Sequence, residues 1–130
     1  MFNDRKKEVT QLGELHGRDA IYLSSVIQTL GPSELQLVGE LSGELCSSYS
    51  GTQRKIPYTI KFLNISSFGC WQLDYYPRRN ELLSSFDSLP SSSEGKLNLY
   101  IFATYDFVYE IHAVSYDLRI DTPDEHHGDR

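Results

Sequence analysis

The chain is poor in the features that mark the commoner protein classes. It has no uninterrupted apolar run of about 18 residues, the length a membrane-spanning helix needs, so no such helix is expected. Its amino terminus, Met1-Phe2-Asn3-Asp4-Arg5-Lys6-Lys7, is polar and lacks the apolar core of a secretion signal, so a cytoplasmic location is expected. It has only two cysteines, Cys46 and Cys70, in neither a CxxC pair nor a metal-ligand spacing, and both read as reduced thiols. No basic stripe is present: the densest cluster, Arg5-Lys6-Lys7, is flanked by Asp4 and Glu8, and the net charge is −6. Sequence-independent nucleic-acid binding needs several converging Lys or Arg contacts with phosphate, so nucleic acid is excluded as an expected partner. There is no nucleophile elbow, phosphate loop, HExxH run or dinucleotide fingerprint, and no cofactor is expected. The His126-His127 pair beside Asp124, Glu125 and Asp129 lies in a polar tail that cannot fix ligand geometry, so no native metal site is expected there.

What is present is two-residue alternation. From Ser33 to Leu45 the odd positions read Leu35, Leu37, Gly39, Leu41, Gly43 and Leu45. The even positions include Glu34, Gln36, Glu40, Ser42 and Glu44. Strand side chains alternate between faces, so this is a strand with one leucine face and one acidic face. Two glycines inside it point to a bulge or a close backbone approach.

Similar patterns recur. Tyr58, Ile60 and Phe62 alternate with Thr59 and Lys61. Asn64 to Ser67 reads as a turn, and Phe68 to Tyr76 as the second arm of a hairpin. Leu97 to Ala103 and Phe107 to Ile120 form a further pair. The second of these is apolar on both faces, which predicts a central strand covered on two sides. Its faces divide into Phe107, Tyr109, Ile111, Ala113 and Ser115 against Val108, Glu110, His112, Val114, Tyr116, Leu118 and Ile120. Residues 19 to 30 are ambiguous. Leu23, Val26, Ile27 and Leu30 fall at helical spacing and Gly31-Pro32 is a stop signal, which favours a helix, although Ile21, Tyr22, Val26, Ile27 and Thr29 are strand formers. Asn80 to Phe86 suggests one or two helical turns, and Asp87 to Gly95 a flexible connection.

The expected fold is therefore mainly β, with α+β as the alternative. It is an antiparallel sandwich or half-open barrel of five to six strands with one or two short helices. At 130 residues the chain is one domain, with residues 1–17 as a loose arm and 121–130 as a polar tail.

Candidate binding residues follow from chemistry. Glu110 and His112 lie two apart on one strand, among Val108, Val114 and Tyr116. A carboxyl and an imidazole on one apolar face suit either acid–base work or a buried polar bridge. With Tyr100 and Phe102 they would line a ligand pocket. Tyr105 and Tyr109, beside Asp106, form an aromatic–acidic cluster, and Trp71 with Tyr75 and Tyr76 a second; either could be a core pair or an interface anchor. Glu40 and Glu44, with Glu34, line the wet face of the first long strand. No catalytic residue is assigned.

The leading functional expectation is a small acidic binding protein without catalytic activity, such as an inhibitor or immunity-type partner of a basic protein. The alternative is a ligand carrier or small enzyme using the Glu110/His112 pocket. An aromatic homo-oligomer seam is compatible with both.

Overall fold

The computed structural model describes residues 6–17, 19–47, 49, 54–90 and 96–120. The polar tail and its histidines lie outside these. Among the described residues, seven strands form a single antiparallel sheet: β1 (Lys6–Lys7), β2 (Ile21–Leu30), β3 (Ser33–Ser42), β4 (Lys55–Gln72), β5 (Phe86–Pro90), β6 (Asn98–Ala103) and β7 (Phe107–Ile120). Their order across the sheet is β1-β5-β6-β7-β4-β3-β2. Two three-stranded meanders, β2-β3-β4 and β5-β6-β7, are thus joined along β4 and β7. Among the described residues the only helical pieces are three 3-10 turns, at Gly43–Leu45, Leu73–Tyr75 and Arg79–Glu81.

The alternation of β3 is realised as read: Leu35, Leu37, Gly39 and Leu41 are buried and their even neighbours are half-buried or more open. They join Ile56, Tyr58, Ile60 and Phe62 of β4, Phe86, Tyr100 and Phe102 of β5 and β6, and Tyr109, Ile111 and Ala113 of β7 in one core. Phe62 is its hub, with ring contacts to Phe86, Tyr100, Phe102 and Tyr116 at centroid distances of 5.4 to 6.3 Å. A second, smaller cluster sits on the opposite face. Tyr76 and the connection after β4 cover Ile101, Ala103 and Val108, with Trp71, Leu73 and Leu82 packed against them. The first half of β7 is therefore central and buried on both faces, as its sequence predicts.

Residues 8–17, expected as a loose arm, span from β5 to the end of β3. The Glu8 amide donates to the Phe86 carbonyl at 2.8 Å, the Ser85 amide donates to the Leu15 carbonyl at 2.8 Å, and Leu15 bridges to Cys46. Leu12 and Leu15 are buried in the main core. This segment draws the two meanders over a common interior.

Four sequence expectations are corrected. The first is residues 21–30, which form strand β2 rather than a helix, with Gly31-Pro32 as its turn into β3. Secondly, Tyr58 to Tyr76 is not a hairpin; Lys55–Gln72 is one strand running through the supposed turn. Asn64 takes a left-handed conformation there (φ 56°) without reversing the chain. The third is the connection expected from Asp87, which begins instead with β5 at Phe86–Pro90. Lastly, the two faces of β7 exchange partway along. Ala113 and Tyr116 both face the main core, a step of three, opposite an equal step from Phe62 to Ile65 on β4. A two-residue period cannot make that step without an irregularity, and Asn64 and the register shift between Ile65 and Ser67 supply it. Tyr116 consequently leaves the Glu110 and His112 face.

Candidate functional site

The face exchange in β7 separates the residues grouped from sequence. Glu110 is 7% exposed, and its carboxylate accepts hydrogen bonds from the Tyr76 hydroxyl and the Arg78 guanidinium. Arg78 also lies over the Tyr76 ring, 5.7 Å from its centroid. This is a closed polar bridge under the second cluster. His112 is half-buried and sits across from Ser67 and Leu99 in the sheet. Neither residue lines any of the three clefts described below.

Tyr100 and Tyr116 meet on the other face, with ring centroids 5.3 Å apart in an edge-to-face arrangement. The Tyr116 hydroxyl donates to Glu8 at 2.8 Å, and the Ser88 hydroxyl also donates to Glu8. Glu8, Ser88 and Tyr100, with Lys6, Asn98 and Pro90, line a cleft of about 260 Å³. Glu8 was missed from sequence because its partners lie 80 and 108 residues away. Tyr109 is buried beside Cys70, and burial pushes its hydroxyl up to about 12. Both cysteines are free thiols, Cys46 buried and Cys70 exposed. Trp71 is half-buried and tilts against Tyr76, centroids 5.4 Å apart.

The acids expected as a docking face are partly neutralised. Glu44 pairs with Arg54 at 3.4 Å and Glu34 with Lys61 at 3.9 Å. Glu40 is half-buried on β3, across from Tyr22 on β2 and Pro57 on β4.

A cleft of about 350 Å³ lies between the first segment and the connection before β5, lined by His16, Asp74, Arg79, Leu82, Ser85 and Thr104 among others. Its charged groups are paired locally: His16 with Glu14 at 2.9 Å and Arg79 with Asp74 at 3.7 Å.

The remaining cleft, about 280 Å³, differs in kind. It runs between the start of β2 and the β6–β7 turn, and is lined by Tyr22, Ser24, Val26, Tyr105, Asp106 and Phe107, with others. Tyr22 and Tyr105 are stacked at 5.9 Å with 22° between their planes, and both are more than 40% exposed. Phe107 and Val26 are exposed beside them. The Tyr105 amide donates to the Ile21 carbonyl at 3.0 Å, which pins the turn to the strand. Partial desolvation, then the nearby Asp19 carboxylate, hold the Tyr22 hydroxyl above the usual tyrosine range. Of the candidates read from sequence, Tyr105 and Tyr109 are placed here. Tyr22 and Phe107 were missed because the first was read into a helix and the second into a core face.

Among the described residues no group of three His, Cys, Asp or Glu side chains is arranged to hold a metal ion, and no helix is long and apolar enough to cross a membrane. No protein-family model, curated protein or solved structure matches the chain.

Proposed function

We propose that this chain is a non-enzymatic binding protein that receives a basic protein partner at the Tyr22–Tyr105 cleft. The observation that carries this reading is an exposed, backbone-pinned aromatic pair beside carboxylates. Large apolar side chains normally find cover, and a rimmed cluster of them on a surface marks an interaction site. Tyrosine faces and carboxylates together suit a guanidinium or ammonium group, which gains from both the ring and the negative charge. Asp106 is in the cleft and Asp19 close to its rim, within a chain of net charge −6, so encounter with a basic partner would be accelerated. An inhibitor that covers the basic active surface of another protein is the concrete form this would take. The alternative pocket at Glu110 and His112 receives no support, because the Glu110 carboxylate is already engaged by Tyr76 and Arg78.

The test is affinity capture from source-cell lysate with three immobilised forms: the wild-type chain, Tyr105→Ala, and the double variant Asp19→Asn with Asp106→Asn. The expected result is retention of a basic protein by the wild type, released by salt and reduced at least tenfold by both variants. Retention unchanged by the variants, or no retained basic protein, sinks the reading.

A further inference from the structure

We propose that the partner enters as an extended segment that adds to β2 as an eighth strand, seating one of its lysine or arginine side chains in the Tyr22–Tyr105 cleft. This rests on the reading of the cleft given above and specifies how it is used.

The two edges of the sheet are unlike. Among the described residues, one edge is β1, two residues long and both lysine. Short, lysine-bearing edges are a common way to prevent unwanted strand pairing. The other is β2, ten residues long. From Ala20 to Ser33 the chain has no charged residue. Ser24 to Leu30 are exposed, and Val26, Ile27 and Leu30 are among them, Leu30 at 84%. Among the described residues, the backbone of β2 is engaged outside β3 only at its start, where Ile21 and Tyr22 carbonyls accept from the Tyr105 amide and the Tyr58 hydroxyl. Beyond Tyr22 one row of amides and carbonyls faces outward. The bulge between Leu23 and Ser25 marks where the free row begins, and it lies in the wall of the cleft.

Seven free residues present roughly 23 Å of edge at about 3.3 Å per residue. That accommodates an extended segment of about seven or eight residues. Main-chain hydrogen bonds would supply affinity there, and alternate side chains would supply specificity.

Charge chooses between occupants. β2 itself carries no cation, so a second copy paired along it would offer none to Asp19 and Asp106 at the cleft. Two chains of net charge −6 would also be brought together. A basic segment meets Asp19 and Asp106 at the cleft with complementary charge.

The test uses a fluorescent eight-residue peptide alternating lysine with valine. It is compared with its glutamate–valine counterpart and with two forms N-methylated on one or the other alternate set of amides. A strand donates outward with every second amide only. One methylated form should therefore bind as the parent does and the other at least tenfold more weakly. Amide exchange at residues 24–30 should slow on binding, and the glutamate peptide should bind at least tenfold more weakly. Equal binding by both methylated forms, or unchanged exchange at 24–30, overturns strand addition. A concentration-dependent dimer that protects 24–30 overturns it in favour of a second copy. If the peptides fail while capture of a basic protein still depends on Asp19 and Asp106, strand addition falls and the cleft reading stands. If that dependence is also absent, both fall.

Discussion

At the scale of single residues, backbone proximity and buried charge dictate identity. Gly39 sits opposite the bulge in β2, and a Cβ placed there would lie 1.9 Å from the Tyr22 carbonyl oxygen and 2.8 Å from its carbon. Backbone cannot yield as a flexible side chain does. Gly39→Ala is therefore expected to cost at least the roughly 1–3 kcal/mol typical of overpacking, read as a lowered denaturation midpoint. Because the clash is with Tyr22, the same variant should disturb the cleft. Gly69 shows a related device: the Trp71 ring lies 3.0 Å from where its Cβ would be. Alternation shows that a glycine interrupts a strand, but which neighbour occupies the vacated space is a tertiary fact. Glu110 makes a different case. Its carboxylate is buried against Tyr76 and Arg78, so Arg78→Ala would leave a charge in the second cluster without its cation. Arg78 is itself 41% exposed, which lets water screen part of the loss. A cost of about 1–3 kcal/mol in chemical denaturation is expected, in line with a lost hydrogen bond to a charged group. An unchanged midpoint would show that the bridge contributes nothing to stability.

At the scale of elements, legibility tracked burial. β3 could be read because Leu35, Leu37 and Leu41 all face one core, so their spacing reports the strand period directly. β7 was readable as central for the same reason, while its face exchange was not, since nothing in Ala113 to Tyr116 announces a three-residue step. β2 was misread as a helix because Val26, Ile27 and Leu30 cover no core of this chain. Their helical spacing does not report a face packed into the core, and the strand forms because β3 pairs with it. Apolar residues that serve no internal core are what a docking strand requires, so the failure of the pattern and the proposed function share one cause. The contrast is testable within two strands. Ile27→Lys, at a position 49% exposed, is expected to leave stability within about 0.5 kcal/mol of wild type while weakening peptide binding at β2. Phe62→Ala, at the hub of the aromatic core, should cost about 3–5 kcal/mol. Equal losses in thermal or chemical denaturation would mean that β2 is covered by this chain after all.

At the scale of the whole molecule, the tyrosines buried in the two clusters make stability answer to alkali. Tyr58, Tyr76, Tyr100, Tyr109 and Tyr116 come from four different parts of the chain, and in each burial is the chief cause raising the hydroxyl above its ordinary value. Glu110 adds to the rise at Tyr76, and Glu8 to that at Tyr116. The buried Cys46 thiol is likewise pushed up to about 11. These are groups whose neutral form is the protonated one. Near neutrality both folded and unfolded chains hold the protons, so pH has no purchase through them. Above about pH 10 the unfolded tyrosines ionise while the buried ones do not, and the unfolded state binds fewer protons than the folded state. Unfolding free energy then falls as pH rises, by at most about 1.4 kcal/mol per pH unit for each such group. Several groups acting together can exhaust a stability of about 5–15 kcal/mol within two or three units. The expected outcome is cooperative unfolding between about pH 10 and 12, in which tyrosinate absorbance near 295 nm from the buried rings appears together with loss of the β circular-dichroism signal. Tyr58→Phe should shift that transition to higher pH by removing one of the coupled protons, provided the lost hydrogen bond to the Tyr22 carbonyl (3.2 Å) costs less than the ionisation it prevents. Complete tyrosinate formation with the β signal intact would mean that water reaches these hydroxyls, and that the aromatic interior is open rather than closed.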